Sequence, residues 1–388
     1  MMMTTELKRT GLAGVEELYQ RRGQRARELS EQGAKVIGYF CCYVPVEFFT
    51  ALEMLPYRIQ GGVNEPITEA DAYLETIMCP FIRSAFDLAL KNRYDFLDGL
   101  VVPHTCDTVQ RIYDIWKYYR KPAYSHFINV PHMLQPSSYE FFKQELLTFR
   151  KSLEEFAGRK MTDEALTEAV RLHNENRALV RQLYDLRKPD PPLTSGVEIL
   201  KTMVTGMGLP VLEYNELLRS VIREIRERDG GPGKKPARIL IYGSVIDDIS
   251  FIQLIEDSGA NVVMDDLSTG LRGFWHDVEP TPDPLDGIVN RYLDKIYCPR
   301  TYRPQAETQE KDLDNRFGYV YKSAADFQVN GVILYVIRFC DTYELDAPDF
   351  KSYFQKKGFP VLYLEDDYSA GTLGQLKTRV QAFIEMIA

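Results

Sequence analysis

No apolar run in the 388 residues approaches the ~18 that a membrane span requires, and the opening Met1–Arg9 stretch has no apolar core of the signal-peptide kind. Membrane insertion and secretion are therefore not expected, and the reading is a soluble, cytoplasmic protein. No basic block stands out either. With 47 Lys+Arg against 56 Asp+Glu and a formal charge of −9, nucleic acid and anionic membranes are poor partners. Gly243-Ser-Val-Ile-Asp-Asp lacks the Gly-x-Gly-x-x-Gly spacing of a dinucleotide fingerprint, so neither NAD nor flavin is inferred. There is no Cys-x-x-Cys pair, which argues against an ordinary structural zinc site.

What the chain does have is length for two or three domains, and six cysteines. Reducing cytosol opposes a disulfide framework, and a chain of this size has no need of one. The thiols are either inert core residues or ligands.

Residues 5–33 have a helical period, and Ala34-Lys-Val-Ile-Gly-Tyr-Phe-Cys-Cys-Tyr-Val reads as a buried strand stopped by Pro45, with a helix from Glu47. Ile67–Leu90 reads as mostly helical, interrupted at Cys79-Pro80. Pro80 suits a first helical turn, which puts Cys79 at a helix N-cap, where the helix end would favour a thiolate. Asp98-Gly-Leu-Val-Val-Pro is a strand, and His104-Thr-Cys-Asp turns it into a helix. Another strand is expected at His126–Val130, and helices fill Tyr139–Arg228. Asp229-Gly-Gly-Pro-Gly-Lys-Lys-Pro is a flexible boundary, after which strand and helix alternate to the end. Such alternation implies a parallel sheet. The division expected is N-terminal helices plus a first α/β domain over 1–135, a mainly helical section over 136–232 and a second α/β domain over 233–388.

Asp98-Gly-Leu-Val-Val-Pro-His-Thr-Cys-Asp is echoed by Asn330-Gly-Val-Ile-Leu-Tyr-Val-Ile-Arg-Phe-Cys-Asp, each an apolar strand ending in Cys-Asp. Two facing sheets would offer thiols to one cleft from the ends where open α/β sheets bind ligands. Cys79, Cys106 and Cys340 are widely spaced, which an iron–sulfur cubane tolerates when the fold brings its ligands together; three thiolates leave one iron open. Cys41 and Cys42 also follow a strand, but adjacent side chains diverge, so at most one should reach that cleft. Cys298, in Tyr-Cys-Pro-Arg, again precedes proline. Glu47, the Asp265-Asp266 pair and His104 are acid–base candidates, against the commoner roles of such residues as caps and turn fillers. Arg83, Arg111, Arg300 and Arg338 stand near the cysteines, able to offset an anionic cluster or a coenzyme phosphate, or simply to face solvent.

Tyr39-Phe-Cys-Cys-Tyr-Val-Pro-Val-Glu, Met78-Cys-Pro-Phe-Ile-Arg-Ser, Tyr94-Asp-Phe-Leu-Asp-Gly with His104-Thr-Cys-Asp, Arg338-Phe-Cys-Asp and Leu373-Gly-Gln-Leu-Lys-Thr-Arg-Val resemble, in that order, the 2-hydroxyacyl-CoA dehydratase and benzoyl-CoA reductase family. The resemblance runs from about Val36 to the C-terminus. It implies two flavodoxin-like, Rossmann-like parallel-sheet domains with a helical section, and an oxygen-sensitive [4Fe–4S] cluster on Cys79, Cys106 and Cys340. It further implies an acyl-CoA substrate, a homologous second subunit in a heterodimer, or a second copy in a homodimer, and an ATP-hydrolysing iron–sulfur activator whose low-potential electron makes a ketyl-type radical. Cys41 and Cys42, where dehydratases often carry hydroxyl residues, and Cys298 incline the resemblance towards benzoyl-CoA-type ring reduction. The alternatives are a 2-hydroxyacyl-CoA dehydratase subunit, and a low-potential electron-transfer protein with a double-cubane iron–sulfur cluster.

Overall fold

Residues 10–388 are described in a computed structural model of the chain; the opening Met1–Arg9 stretch, with its expected lack of a leader, lies outside them. Among the described residues eight strands form two sheets: β1 (Val36–Tyr39), β2 (Leu55–Arg58), β3 (Gly99–Pro103) and β4 (Tyr124–Ile128) in one, and β5 (Ala237–Gly243), β6 (Ala260–Asp266), β7 (Gly331–Ile337) and β8 (Val361–Asp366) in the other. Their orders are β2-β1-β3-β4 and β6-β5-β7-β8, and every pairing is parallel. Both sheets thus follow the same flavodoxin-like order, and the Cys-Asp echo falls on equivalent strands, β3 and β7. Continuous apolar runs such as Ile239-Leu-Ile and Val332-Ile-Leu are buried on both faces because helices cover them.

The helical section does not stand apart from the sheets. The helix Pro136–Ala157 packs on the first sheet through Phe142, Leu146 and Phe149, whereas Val211–Glu227 joins the core of the second through Leu217, Leu218 and Val221. Asp163–Asp185 serves both, with Leu166 in the first core and Leu183 and Tyr184 in the second. The chain also returns: Pro284–Asp294, late in sequence, buries Leu285 and Ile288 in the core of the first sheet.

Local readings differ from the structure where tertiary contacts decide. Ile67–Met78 is not helical apart from a single 3₁₀ turn at Ala70–Ala72. The Asp87 carboxylate accepts from the amides of Thr68, Glu69 and Ala70 at 2.9, 2.6 and 3.0 Å and holds this stretch as a loop. The first strand ends at Tyr39 instead of running on towards Pro45, because Cys41 adopts φ 61°. The N-terminal helix is two helices, Gly11–Gln20 and Gln24–Glu31, broken at Gly23 with φ 82°. Strand β2, which contains Pro56, and the helix Pro284–Asp294 were not expected from pattern; Pro56 is tolerated because β2 lies at a sheet edge.

Candidate functional site

In an open α/β sheet the strands on either side of the order reversal diverge at their C-terminal ends and leave a crevice. Here β1 and β3 flank that point in one sheet, β5 and β7 in the other. The residues that follow these four strands line one shared cavity of about 110 Å³: Cys41 and Cys42 after β1, Thr105 and Cys106 after β3, Ser244 and Val245 after β5, and Cys340 after β7. Cys79 and Cys298 complete the lining, so all six cysteines of the chain face one space. Each is free and partly exposed.

The thiols fall into two groups by backbone setting. Cys79, Cys106 and Cys340 are N-caps of the helices Pro80–Leu90, Asp107–Arg120 and Asp341–Lys356. Cys41, Cys42 and Cys298 sit in irregular segments. Contrary to expectation, both members of the Cys41–Cys42 pair reach the cavity: the left-handed backbone at Cys41 abolishes the alternation that sends neighbouring strand side chains to opposite faces.

Burial dominates the electrostatics. It pushes the Cys79 thiol up to about 11 although the Phe81 and Ile82 amides pull the other way, and pushes Cys106 up to about 12. Burial also raises Cys340, with Cys79 and Cys106 adding to the shift. The helix-end effect expected for Cys79 is thus outweighed by desolvation. Cys41 is lowered, because the Cys42 thiol donates to it, and Cys42 is raised by the same contact. Protonated, buried thiols of this kind lose their protons when a cation binds.

Three arginines, Arg58, Arg272 and Arg300, share the lining with no Asp or Glu. Arg300 donates to the carbonyls of Val130 and Pro131, both at 2.8 Å, and of His104 at 3.1 Å, which ties the Cys298 loop to the Cys106 loop. The donor set tests the cluster expected from sequence. Among the described residues no three His, Cys, Asp or Glu side chains converge to hold a single metal ion. The thiols ring a volume, which suits a cubane, because each thiolate there binds a different iron. A cationic wall without carboxylates suits an anionic occupant.

The other expected residues lie elsewhere. Glu47 is fully buried, paired with Arg177 and accepting from Tyr292 Oη at 2.8 Å. Burial raises its carboxyl, but the charges of Arg177, His173 and Arg291 outweigh that and bring it down to about 2. Held so, it is a strut joining helix Asp163–Asp185 to the first sheet and no proton donor near neutral pH. His104 packs against His132, with ring centroids 5.0 Å apart, and against Phe127, outside the cavity lining. Asp265 bonds Tyr184 at 2.9 Å and Arg187 at 3.3 Å, and Asp266 bonds Tyr319 at 2.7 Å and Arg272 at 3.1 Å. Arg83 pairs with Asp71, Arg111 with Asp107 at 3.5 Å and Arg338 with Glu365 at 2.8 Å; of the four arginines singled out by sequence, only Arg300 lines the cavity. Arg58, Arg272 and Tyr343 were missed, since nothing in their local sequence announces them.

A second cavity of about 110 Å³ shares Cys41, Cys42, Arg58 and Ser268 with the first and extends between Met203, Met207 and Phe274. Fold and site together define a two-sheet α/β protein whose switch points face each other across a thiol-lined cavity.

Comparison with known proteins gives the family. The family described as "2-hydroxyglutaryl-CoA dehydratase, D-component" matches residues 41–387, and the chain belongs to it. The chain is 28% identical to a benzoyl-CoA reductase subunit of Thauera aromatica, with 92% of each chain covered. It is 29% identical to the putative dehydratase subunit YjiM of Escherichia coli K12, with 93% of each covered. With the (R)-phenyllactyl-CoA dehydratase beta subunit of Clostridium sporogenes it shares 24% identity, over 93% of this chain and 94% of the relative. Members include both reductase and dehydratase subunits, which supports an enzyme role for this chain. No helix among the described residues is long and apolar enough to cross a membrane.

Proposed function

We propose that this chain is the iron–sulfur component of a low-potential reductase fed by a separate ATP-hydrolysing iron–sulfur activator, and that its six thiols hold a double-cubane centre. The observation that carries this reading is the convergence of all six cysteines, from both sheets, on one cavity lined by three arginines and no carboxylate. When bound, such a centre takes up and passes on single electrons at low potential. The chain's own residues supply the rest. Phe81, Ile82, Val245 and Ile337 make the apolar part of the wall and exclude water, while Arg58, Arg272 and Arg300 offset negative charge. The adjoining cavity that meets Cys41 and Cys42 is the place for a small substrate.

The second reading is an acyl-CoA subunit with one [4Fe–4S] cluster on Cys79, Cys106 and Cys340, acting in benzoyl-CoA ring reduction or 2-hydroxyacyl-CoA dehydration. The shared N-cap setting of those three thiols and the names of the relatives favour it. Either reading includes a homologous second subunit or a second copy of this chain.

Iron and acid-labile sulfide measured on anaerobically purified protein separate the two. About eight irons per chain support the double cubane and about four the single cubane. Iron-free protein from strictly anaerobic preparation overturns both. Product analysis with activator, ATP and either benzoyl-CoA or a 2-hydroxyacyl-CoA then tests the acyl-CoA reading directly.

A further inference from the structure

Arg272 and Tyr343 carry polar atoms at the thiol cavity that no group among the described residues satisfies. Their exposures are 1% and 3%. One end of the Arg272 guanidinium is fixed: Nη2 donates to the Gly243 carbonyl at 3.0 Å, to Asp266 Oδ2 at 3.1 Å and to the Asp266 carbonyl. Its Nε and Nη1 have no acceptor, and neither has the Tyr343 hydroxyl. The guanidinium carbon lies 5.1 Å from the centroid of the Tyr343 ring, so the two residues form one patch of the wall. Leaving a buried donor without a partner is destabilising, and more so for a charged group. Three such donors on a single patch of the wall that also carries the six thiols point to an acceptor that the protein itself does not supply. No carboxylate lines the cavity, so the acceptor arrives with the occupant.

We propose that Arg272 and Tyr343 donate hydrogen bonds to sulfur of the iron–sulfur centre and so hold its reduction potential above the value that the thiolates alone would set. The inference rests on the reading that the six thiols hold such a centre. Reduction adds negative charge to an already anionic group. A fixed cation and a hydroxyl donor stabilise the reduced form more than the oxidised one, and the potential rises. Both residues come from the second sheet: Arg272 from the turn after β6, and Tyr343 from the first turn of the helix after β7. They act as positioning and tuning residues.

The test is a redox titration followed by electron paramagnetic resonance on anaerobically purified wild type, Tyr343→Phe, Arg272→Gln and Arg272→Lys, each first analysed for iron and sulfide. Tyr343→Phe removes only an oxygen that has no partner, so it keeps the fold and the full iron content. Its midpoint should move to more negative potential with an altered resonance line shape. Arg272→Gln should move further in the same direction, and Arg272→Lys should recover part of the shift by restoring the charge without the fork. Should the arginine variants lose iron because Asp266 loses its counter-charge, Tyr343→Phe decides alone. A Tyr343→Phe protein with full iron, an unchanged midpoint and an unchanged line shape overturns the inference while leaving the cluster reading intact. Wild type without iron overturns both.

Discussion

The two sheets share a strand order but equip their ligand-binding ends differently. Around the first sheet, the loops and helix starts after β1, β2 and β3 bring four thiols: Cys41, Cys42, Cys79 and Cys106. The Cys298 loop packs on the same first core. The second sheet brings Cys340, together with Arg272 and Tyr343, each of which has a donor without a protein partner. The first rim thus gathers five of the six thiols with Arg58 and Arg300, and the second carries one thiol with Arg272 and Tyr343. The lesson is that duplicated topology fixes where a site lies and leaves its chemistry to the few residues beyond each strand end.

The largest effect should come from removing a thiol on either rim. Cys106→Ala, on the first, and Cys340→Ala, on the second, should each lose the cubane that Cys79, Cys106 and Cys340 hold, about half of the iron on the double-cubane reading and all of it on the single-cubane reading; retention of wild-type iron in either variant would detach that thiol from the site. Cys298→Ala sharpens the comparison. On the double-cubane reading it reduces iron from about eight to about four per chain, whereas a single cubane keeps about four in both proteins.

A strut beneath the first rim comes next. Glu47→Gln leaves Arg177 buried without its counter-charge, and chemical denaturation should show a loss of about 3–5 kcal/mol. The Glu47 carboxyl lies at about 2 in the folded chain against an ordinary 4.5. Its contribution is therefore complete above about pH 4.5 and is lost as pH falls through about 2. The stability gap between wild type and Glu47→Gln should shrink over that window. A gap that stayed constant would show that Glu47 does not titrate as an ion-pair partner.

The smallest effect tests the helical support behind the second sheet. Ser195 and Glu198 form a capping box on the helix Gly196–Gly206, and Ser195→Ala should cost about 1 kcal/mol by denaturant titration with iron content unchanged. Loss of iron in this variant would place the helical section in the site itself.

Much of the fold was legible because it rests on local grammar. Apolar runs ending in Cys-Asp marked β3 and β7, proline after Cys79 marked a helix start, and the glycine-rich stretch before Ala237 marked the entry to the second sheet. Signals that depend on distant partners were not legible. Ile67–Met78 carries helical spacing, yet a single carboxylate at Asp87 keeps it a loop. Cys42 reaches the cavity only through the backbone bend at Cys41. Glu47 was visible as an acid near a helix start, but its partner Arg177 lies far along the chain and converts it from an acid–base candidate to a strut. Arg272 and Tyr343 gain meaning only from burial beside thiols brought in by other elements.

Native mass spectrometry of the anaerobically purified wild-type chain tests the central claim most directly. The account predicts a mass increment for about eight irons with their sulfides on each chain, about half of it lost in Cys106→Ala and in Cys340→Ala. A metal-free mass for the wild type, or a full increment that survives in both variants, would contradict it.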